Sequence, residues 1–139
     1  MSGEQNQAML RRVISEAFNQ GDYQVLQEVF DPDFVEHQFG LHPTIAGMQG
    51  DIQFLRTAFP DFSLTIEDIV VQGDKVWVRM TARGTNRGGF MGPPNGKTFQ
   101  VAVFDELRFE DGKIVEHWGS PDRFALLAQL GLLPQPQKA

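Results

Sequence analysis

The sequence predicts an α+β domain in which helices come first and an antiparallel meander follows. Three observations predict it. Apolar residues recur with period 3.6 up to Pro60. Beyond Pro60 the period drops to two, and the dipeptides Gly73-Asp74 and Asp111-Gly112 punctuate the alternating runs as tight turns. Helices built before such a meander pack onto one face of a twisted sheet, and bulges can curl that sheet around a pocket.

Each element follows from local pattern. From Glu4 to Asn19, the residues Met9, Leu10, Val13, Ile14, Ala17 and Phe18 form one helical stripe, which Gly21 stops. Asp22 is placed to cap a short helix with Val25, Leu26, Val29 and Phe30 inside, and Asp31-Pro32 breaks it. Phe34-Val35-Glu36-His37 reads as extended, and Gly40 to Gly47 as loop. Met48, Ile52, Leu55, Ala58 and Phe59 mark a third helix ended by Pro60. Leu64, Ile66 and Ile69 to Val71 give a strand, and Val76, Val78, Met80 and Ala82 alternate with Trp77, Arg79, Thr81 and Arg83 on the next. A Gly/Pro-rich loop spans Gly84 to Gly96, then Phe99, Val101, Val103, Asp105, Leu107 and Phe109 form a long strand. Ile114 to Gly119 return. Ser120 reads as an N-cap with Pro121 at the first helical position, and Ala125, Leu126, Leu127 and Leu130 face inward before Gly131. Nothing divides residues 1–139 into two domains; 1–3 and 134–139 read as loose tails.

A two-residue Asp111-Gly112 loop fixes a register. Phe109 then faces Ile114, Leu107 faces Glu116 and Asp105 faces Trp118, all on one face. The other face receives Glu110 with Lys113, Arg108 with Val115 and Glu106 with His117. A mostly apolar face carrying Asp105 and Glu116 suggests a lined cavity, because unpartnered buried carboxylates are costly.

Composition removes several functions. The 139 residues hold 12 Lys/Arg against 18 Asp/Glu, a net charge of −6, with no basic cluster for nucleic acid. Absent cysteine removes disulfides, thiol nucleophiles and zinc-thiolate sites. No apolar run is long enough for a signal peptide or membrane span, so a soluble cytoplasmic protein without membrane partners is expected.

The chain resembles the SnoaL-like polyketide cyclases of the nuclear-transport-factor-2-like superfamily. The resemblance rests on Phe18-Asn19-Gln20-Gly21-Asp22, Pro32 to His37, Phe59-Pro60-Asp61, Gly73 to Val76, Gly84-Thr85, Phe90-Met91-Gly92, Asp111 to Trp118 and Leu126 to Gly131. It implies a cone-shaped domain with an apolar cavity and a short C-terminal helix. It also implies a homodimer and a small-molecule substrate, with neither metal nor organic cofactor. The implied reaction is ring closure by intramolecular aldol condensation, with Asp122 as the base removing a proton α to a carbonyl. Many relatives carry histidine where this chain has Asn86, which can hydrogen-bond a carbonyl but holds no exchangeable charge at neutral pH.

The candidates have competing readings. Asp122 is a base under the resemblance and a helix-start carboxylate under local electrostatics. His37 lies at the cavity mouth by resemblance, and otherwise is a hydrogen-bonded structural group. His42 reads as a loop residue and His117 as an outward ion-pair partner of Glu106, unless a bulge reverses it. Asp105 is either a catalytic group hydrogen-bonding substrate or a partner of Arg79 or Arg83; Glu116 has the same alternatives. Trp118 reads as cavity wall. Phe90-Met91-Gly92-Pro93-Pro94 is a lid or a plug, and Phe39, Phe54, Phe59, Phe62 and Phe99 read as core, with Phe39, Phe59, Phe90 and Met91 the candidates for substrate contact. Outward Trp77 with Arg79, Thr81 and Arg83 fits a subunit interface. The competing functions are a non-catalytic binding or dimerisation module and an isomerase, dehydratase or epoxide hydrolase of the same fold.

Overall fold

The computed structural model describes residues 2–134. Helix α1 (Gly3–Arg12) opens on a capping box, with the Ser2 hydroxyl accepting from Gln5 N–H and the Gln5 side chain from Ser2 N–H. Ser2 and Gly3 are therefore part of the fold, not a loose tail; of the other expected tail, 134–139, residues 135–139 lie outside the described residues. The predicted stripe continues as a wider π-helical segment, Val13–Asn19, burying Val13, Ile14 and Ala17. Its last residue, Asn19, clamps Leu64 with two bonds, Nδ2 to the carbonyl at 2.9 Å and Oδ1 from the N–H at 2.8 Å. Asn19→Ala strands both backbone groups, and an unfolding titration is expected to show a loss of about 1–3 kcal/mol.

Helix α2 (Gln24–Val29) buries Val25, Leu26 and Val29, and the chain runs directly into strand β1 (Phe30–Glu36). Helix α3 (Ile45–Ala58) starts at its N-cap Thr44, earlier than expected, so Gly47 is helical. Strands β2 (Ser63–Gln72), β3 (Lys75–Thr85), β4 (Thr98–Glu110) and β5 (Lys113–Pro121) form the meander, and α4 (Arg123–Gln129) ends it. Asp122 is the N-cap of α4, its Oδ1 accepting from Ala125 N–H at 3.0 Å. The expected Ser120 cap and Pro121 helix position are thus overturned: both residues still pair with β4 as strand.

The sheet order is β1-β5-β4-β3-β2, antiparallel except that β1 lies parallel to β5. The sheet is mixed, curved and not closed, with helices against its inner face. Val76, Val78, Met80 and Ala82 of β3 and Phe99, Val101, Leu107 and Phe109 of β4 point into the core as predicted. The core omits two expected members: Phe39 is 88% exposed and Phe54 54% exposed. No described helix is long and apolar enough to cross a membrane.

Candidate active-site groups

One residue decides which polar groups face the core. Phe109 pairs with Ile114 and Glu110 with Lys113, as the turn predicts, but Arg108 pairs with Glu116. Val115 is extra, a bulge opposite Arg108 and Phe109. From there the expected register is reversed. Leu107 faces His117, Glu106 faces Trp118 and Asp105 faces Gly119. The physical reason is spacing. Ile114 is fully buried and His117 is 8% exposed, yet they lie three positions apart, an odd step that strict alternation cannot place on one face. His117 therefore turns inward, while Glu116 and Trp118 turn outward.

Inside, His117 stands between two carboxylates. Its Nδ1 lies 2.6 Å from Glu36 Oε2 and its Nε2 3.0 Å from Asp105 Oδ2. Burial alone would push the imidazole pKa down, but the hydrogen bonds and charges of Asp105 and Glu36 outweigh it and raise it to about 9. The ring is thus an imidazolium at neutral pH, and both nitrogens donate. Glu36 also accepts from Gln38 N–H at 3.0 Å. Asp105 Oδ1, by contrast, is buried with no partner. His117 is the functional candidate that alternation from the turn misses, and only its pairing with β4 and β1 reveals it.

Outside, His37 Nε2 meets Glu116 Oε2 at 2.8 Å, and its ring stacks on Trp118 with centroids 4.5 Å apart. Arg108 closes the network through Glu116 at 2.7 Å and Glu110 at 2.8 Å. The Glu116 carboxyl is held below its ordinary range by the His37 bond and then by Arg108. Arg108, not Arg79 or Arg83, is its partner. This side holds a depression of about 470 Å³ whose lining includes Val70, Trp77, Phe104, Asp105, Glu106 and Trp118. His37, Glu116 and Trp118 are therefore brought together on the sheet's outer face, whereas the His117 ring and the Asp105 oxygen bonded to it lie on the other side.

A third group sits where β3 leaves the sheet. Asn86 is completely buried. It pins the loop that follows: its N–H donates to the Lys97 carbonyl at 2.9 Å, its carbonyl accepts from Gly96 at 2.9 Å, and its Oδ1 accepts from Gly89 at 3.1 Å. Its Nδ2 has no partner. The loop inserts Phe90 between Phe54 and Phe59, at centroid distances of 6.0 and 5.2 Å, and Phe59 meets Phe99 edge-on at 4.8 Å. Met91 is 70% exposed at the loop tip. Gly88 packs so tightly on the end of α3 that a side chain would strike the Thr57 carbonyl. The motif residues Asp61 and Thr85 lock this end: Asp61 accepts the Thr85 N–H and hydroxyl, each at 2.7 Å, and the hydroxyl bond foremost holds its carboxyl low.

The sequence-derived candidates thus divide among three places. Thr85 pairs with Thr98 and Asn86 lies level with Lys97, so Asn86 and Asp105 stand about 26 Å apart along the strand at ~3.3 Å per residue, too far to act on one atom. Asp122 lies between them, its N–H bonded to the Ala102 carbonyl, exposed at the start of α4. His42 is tied by its backbone and ring to Asp51 of α3, at 2.9 and 2.7 Å. Among the described residues no group of His, Cys, Asp or Glu has the geometry to hold a metal ion.

The model of the SnoaL-like polyketide cyclases matches residues 8–130. The chain is 28% identical over 134 residues to aklanonic acid methyl ester cyclase DauD of Streptomyces sp. (strain C5), covering 88% of this chain and 80% of that one. It is 26% identical over 121 residues to nogalonic acid methyl ester cyclase of Streptomyces nogalater, covering 83% and 90%. The crystal structure of wild-type IdmH from Streptomyces antibioticus superposes with a TM-score of 0.82 at 40% identity, covering 91% of this chain and 99% of that one.

Proposed function

Because the chain belongs to the SnoaL-like polyketide cyclase family, we propose that it is an enzyme closing a ring by intramolecular aldol condensation. The substrate is a mostly apolar small molecule carrying several carbonyl groups, and acid/base chemistry suffices without a cofactor. The observation that carries this reading is the match along residues 8–130, supported by two relatives named as ester cyclases. Asp122 takes the proton α to one carbonyl. The enolate carbon attacks a second carbonyl, one C–C bond forms, and the resulting alkoxide takes a proton. Asp122 uses only Oδ1 to cap α4, and Oδ2 has no hydrogen-bond partner among the described residues. The unpaired Asn86 Nδ2 donates to a carbonyl oxygen further along the same substrate, about 17 Å away along β4. His37 has no part in this scheme, since its ring is engaged on the outer face.

The test is incubation of the full chain with aklanonic acid methyl ester and with nogalonic acid methyl ester, followed by chromatography with mass detection. Aldol closure without loss of water gives a new product of unchanged mass. Neither conversion nor α-proton exchange with deuterated solvent would remove the cyclase reading and bring the binding module forward.

The outer sheet face favours a homodimer. Val35, Val70, Trp77 and Phe104 are each about half exposed there, at 48%, 55%, 48% and 55%. An apolar sheet face of this kind marks an interface, and a second copy supplies the matching apolar face. Sedimentation should show a wild-type dimer and a monomer for Trp77→Glu; a monomeric wild type would rule the dimer out.

A further inference from the structure

A buried carboxylate oxygen without a partner is the feature least accounted for by stability. Asp105 presents its two oxygens differently. Oδ2 accepts from His117 Nε2 at 3.0 Å, whereas Oδ1 is buried and accepts nothing. Leaving an acceptor of a charged group unpaired in the interior costs more than the ~1–3 kcal/mol typical of a neutral one, and native proteins rarely tolerate it without cause. The backbone beside it carries no side chain of its own, and the Gln38 amide packs into the space this leaves at Gly119. A Cβ at Gly119 would collide with Gln38 and come within 2.8 Å of Asp105 Oδ1. His117 is itself fixed from its far side by Glu36 at 2.6 Å, so the ring cannot rotate away from Asp105. The arrangement is a relay of position: Glu36 orients the imidazolium, the imidazolium orients Asp105, and Oδ1 is left without a partner.

We infer that Asp105 Oδ1 is a substrate-facing acceptor for a neutral hydroxyl donor, an enol or phenol, with His117 as its positioning residue. The cyclase reading enters only through the substrate class, since a chain of neighbouring carbonyls presents enol hydroxyls. An ionised acceptor forms a short, charge-assisted bond to such a hydroxyl and rejects a carbonyl or ether oxygen, which offers no proton. The role differs from that of an acid donating to substrate: His117 donates to Oδ2, and Oδ1 is the oxygen offered as an acceptor. It also stands apart from Asp122 and Asn86, which treat the α-proton and a carbonyl.

The test compares 2-naphthol with 2-methoxynaphthalene, which keeps the rings and loses the donor, by calorimetric titration of the full chain. Wild type is expected to bind 2-naphthol at least ten-fold tighter. In Asp105→Ala the ratio should fall to near one, and Asp105→Asn, which keeps the shape, should reduce it at least three-fold should the alanine variant not fold. In ¹⁵N-histidine spectra, 2-naphthol should move the His117 ring resonances and 2-methoxynaphthalene should leave them. A purely structural His117 would not distinguish the probes. Equal affinities in wild type, no binding of 2-naphthol, an undiminished ratio in either Asp105 variant, or a silent His117 would each overturn the inference. None of these readouts needs turnover. Hydroxyl preference without cyclised product would sink the cyclase and keep this site; cyclised product without the preference would do the reverse.

Discussion

His117→Ala is expected to destabilise the domain by about 3–5 kcal/mol at pH 7, the penalty typical of removing one partner from a buried ion pair. The loss is not that of one contact. It leaves Glu36 and Asp105 facing each other across an apolar interior with their shared cation gone. Wild type should carry the matching pH signature. The folded imidazole pKa is raised, from 6.5 to about 9. Its contribution is therefore complete below pH 6.5 and is lost as pH rises through about 9. At 1.36 kcal/mol per pH unit that contribution is about 3 kcal/mol. Urea titrations at pH 6, 7.5 and 9 measure it: the gap between wild type and variant should narrow steadily with pH. A gap independent of pH would mean that folding leaves the His117 pKa unshifted.

Asp122→Asn is expected to lower turnover by roughly 10²–10⁴-fold, the usual worth of a general base, while leaving stability within about 0.5 kcal/mol, because asparagine caps helices as well as aspartate does. Asp122→Ala separates the two roles. It should lose the Ala125 bond and about 1 kcal/mol of stability in addition to the same fall in rate. Initial rates on the two methyl esters, measured beside melting curves, decide the matter. Full turnover in Asp122→Asn would make Asp122 a helix cap and shift the base elsewhere, with the free oxygen of Asp105 the first candidate.

Most of the fold is legible because it follows from short-range rules. The stripe Met9 to Phe18, the stop at Gly21, the turns at Gly73-Asp74 and Asp111-Gly112 and the alternation of β3 all rest on neighbours within a few residues. The start of α4 is less legible. Ser120-Pro121-Asp122 offers two capping side chains, and Pro121 is compatible with either reading; continued pairing of Ser120 with Phe104 settles it for Asp122. The loop from Asn86 to Lys97 was open between lid and plug for a similar reason. Its conformation depends on Asn86 reaching Gly89, Gly96 and Lys97 and on a space between Phe54 and Phe59, neither visible in its own residues.

The candidate site divides along the same line. Family, element order and the identity of the polar residues in the last hairpin are all readable from the chain. Which of those residues faces the core emerges from the assembled sheet. Alternation has no memory of an inserted residue, so the two-residue turn places Glu116 and Trp118 inside and His117 outside. The assembled sheet must bury Ile114 against Phe109 and Phe30, and must also bring His117 opposite Leu107 and beside Glu36 of β1. One bulge at Val115 satisfies both demands. That choice depends on pairings between strands far apart in the chain, and no window of local sequence contains it.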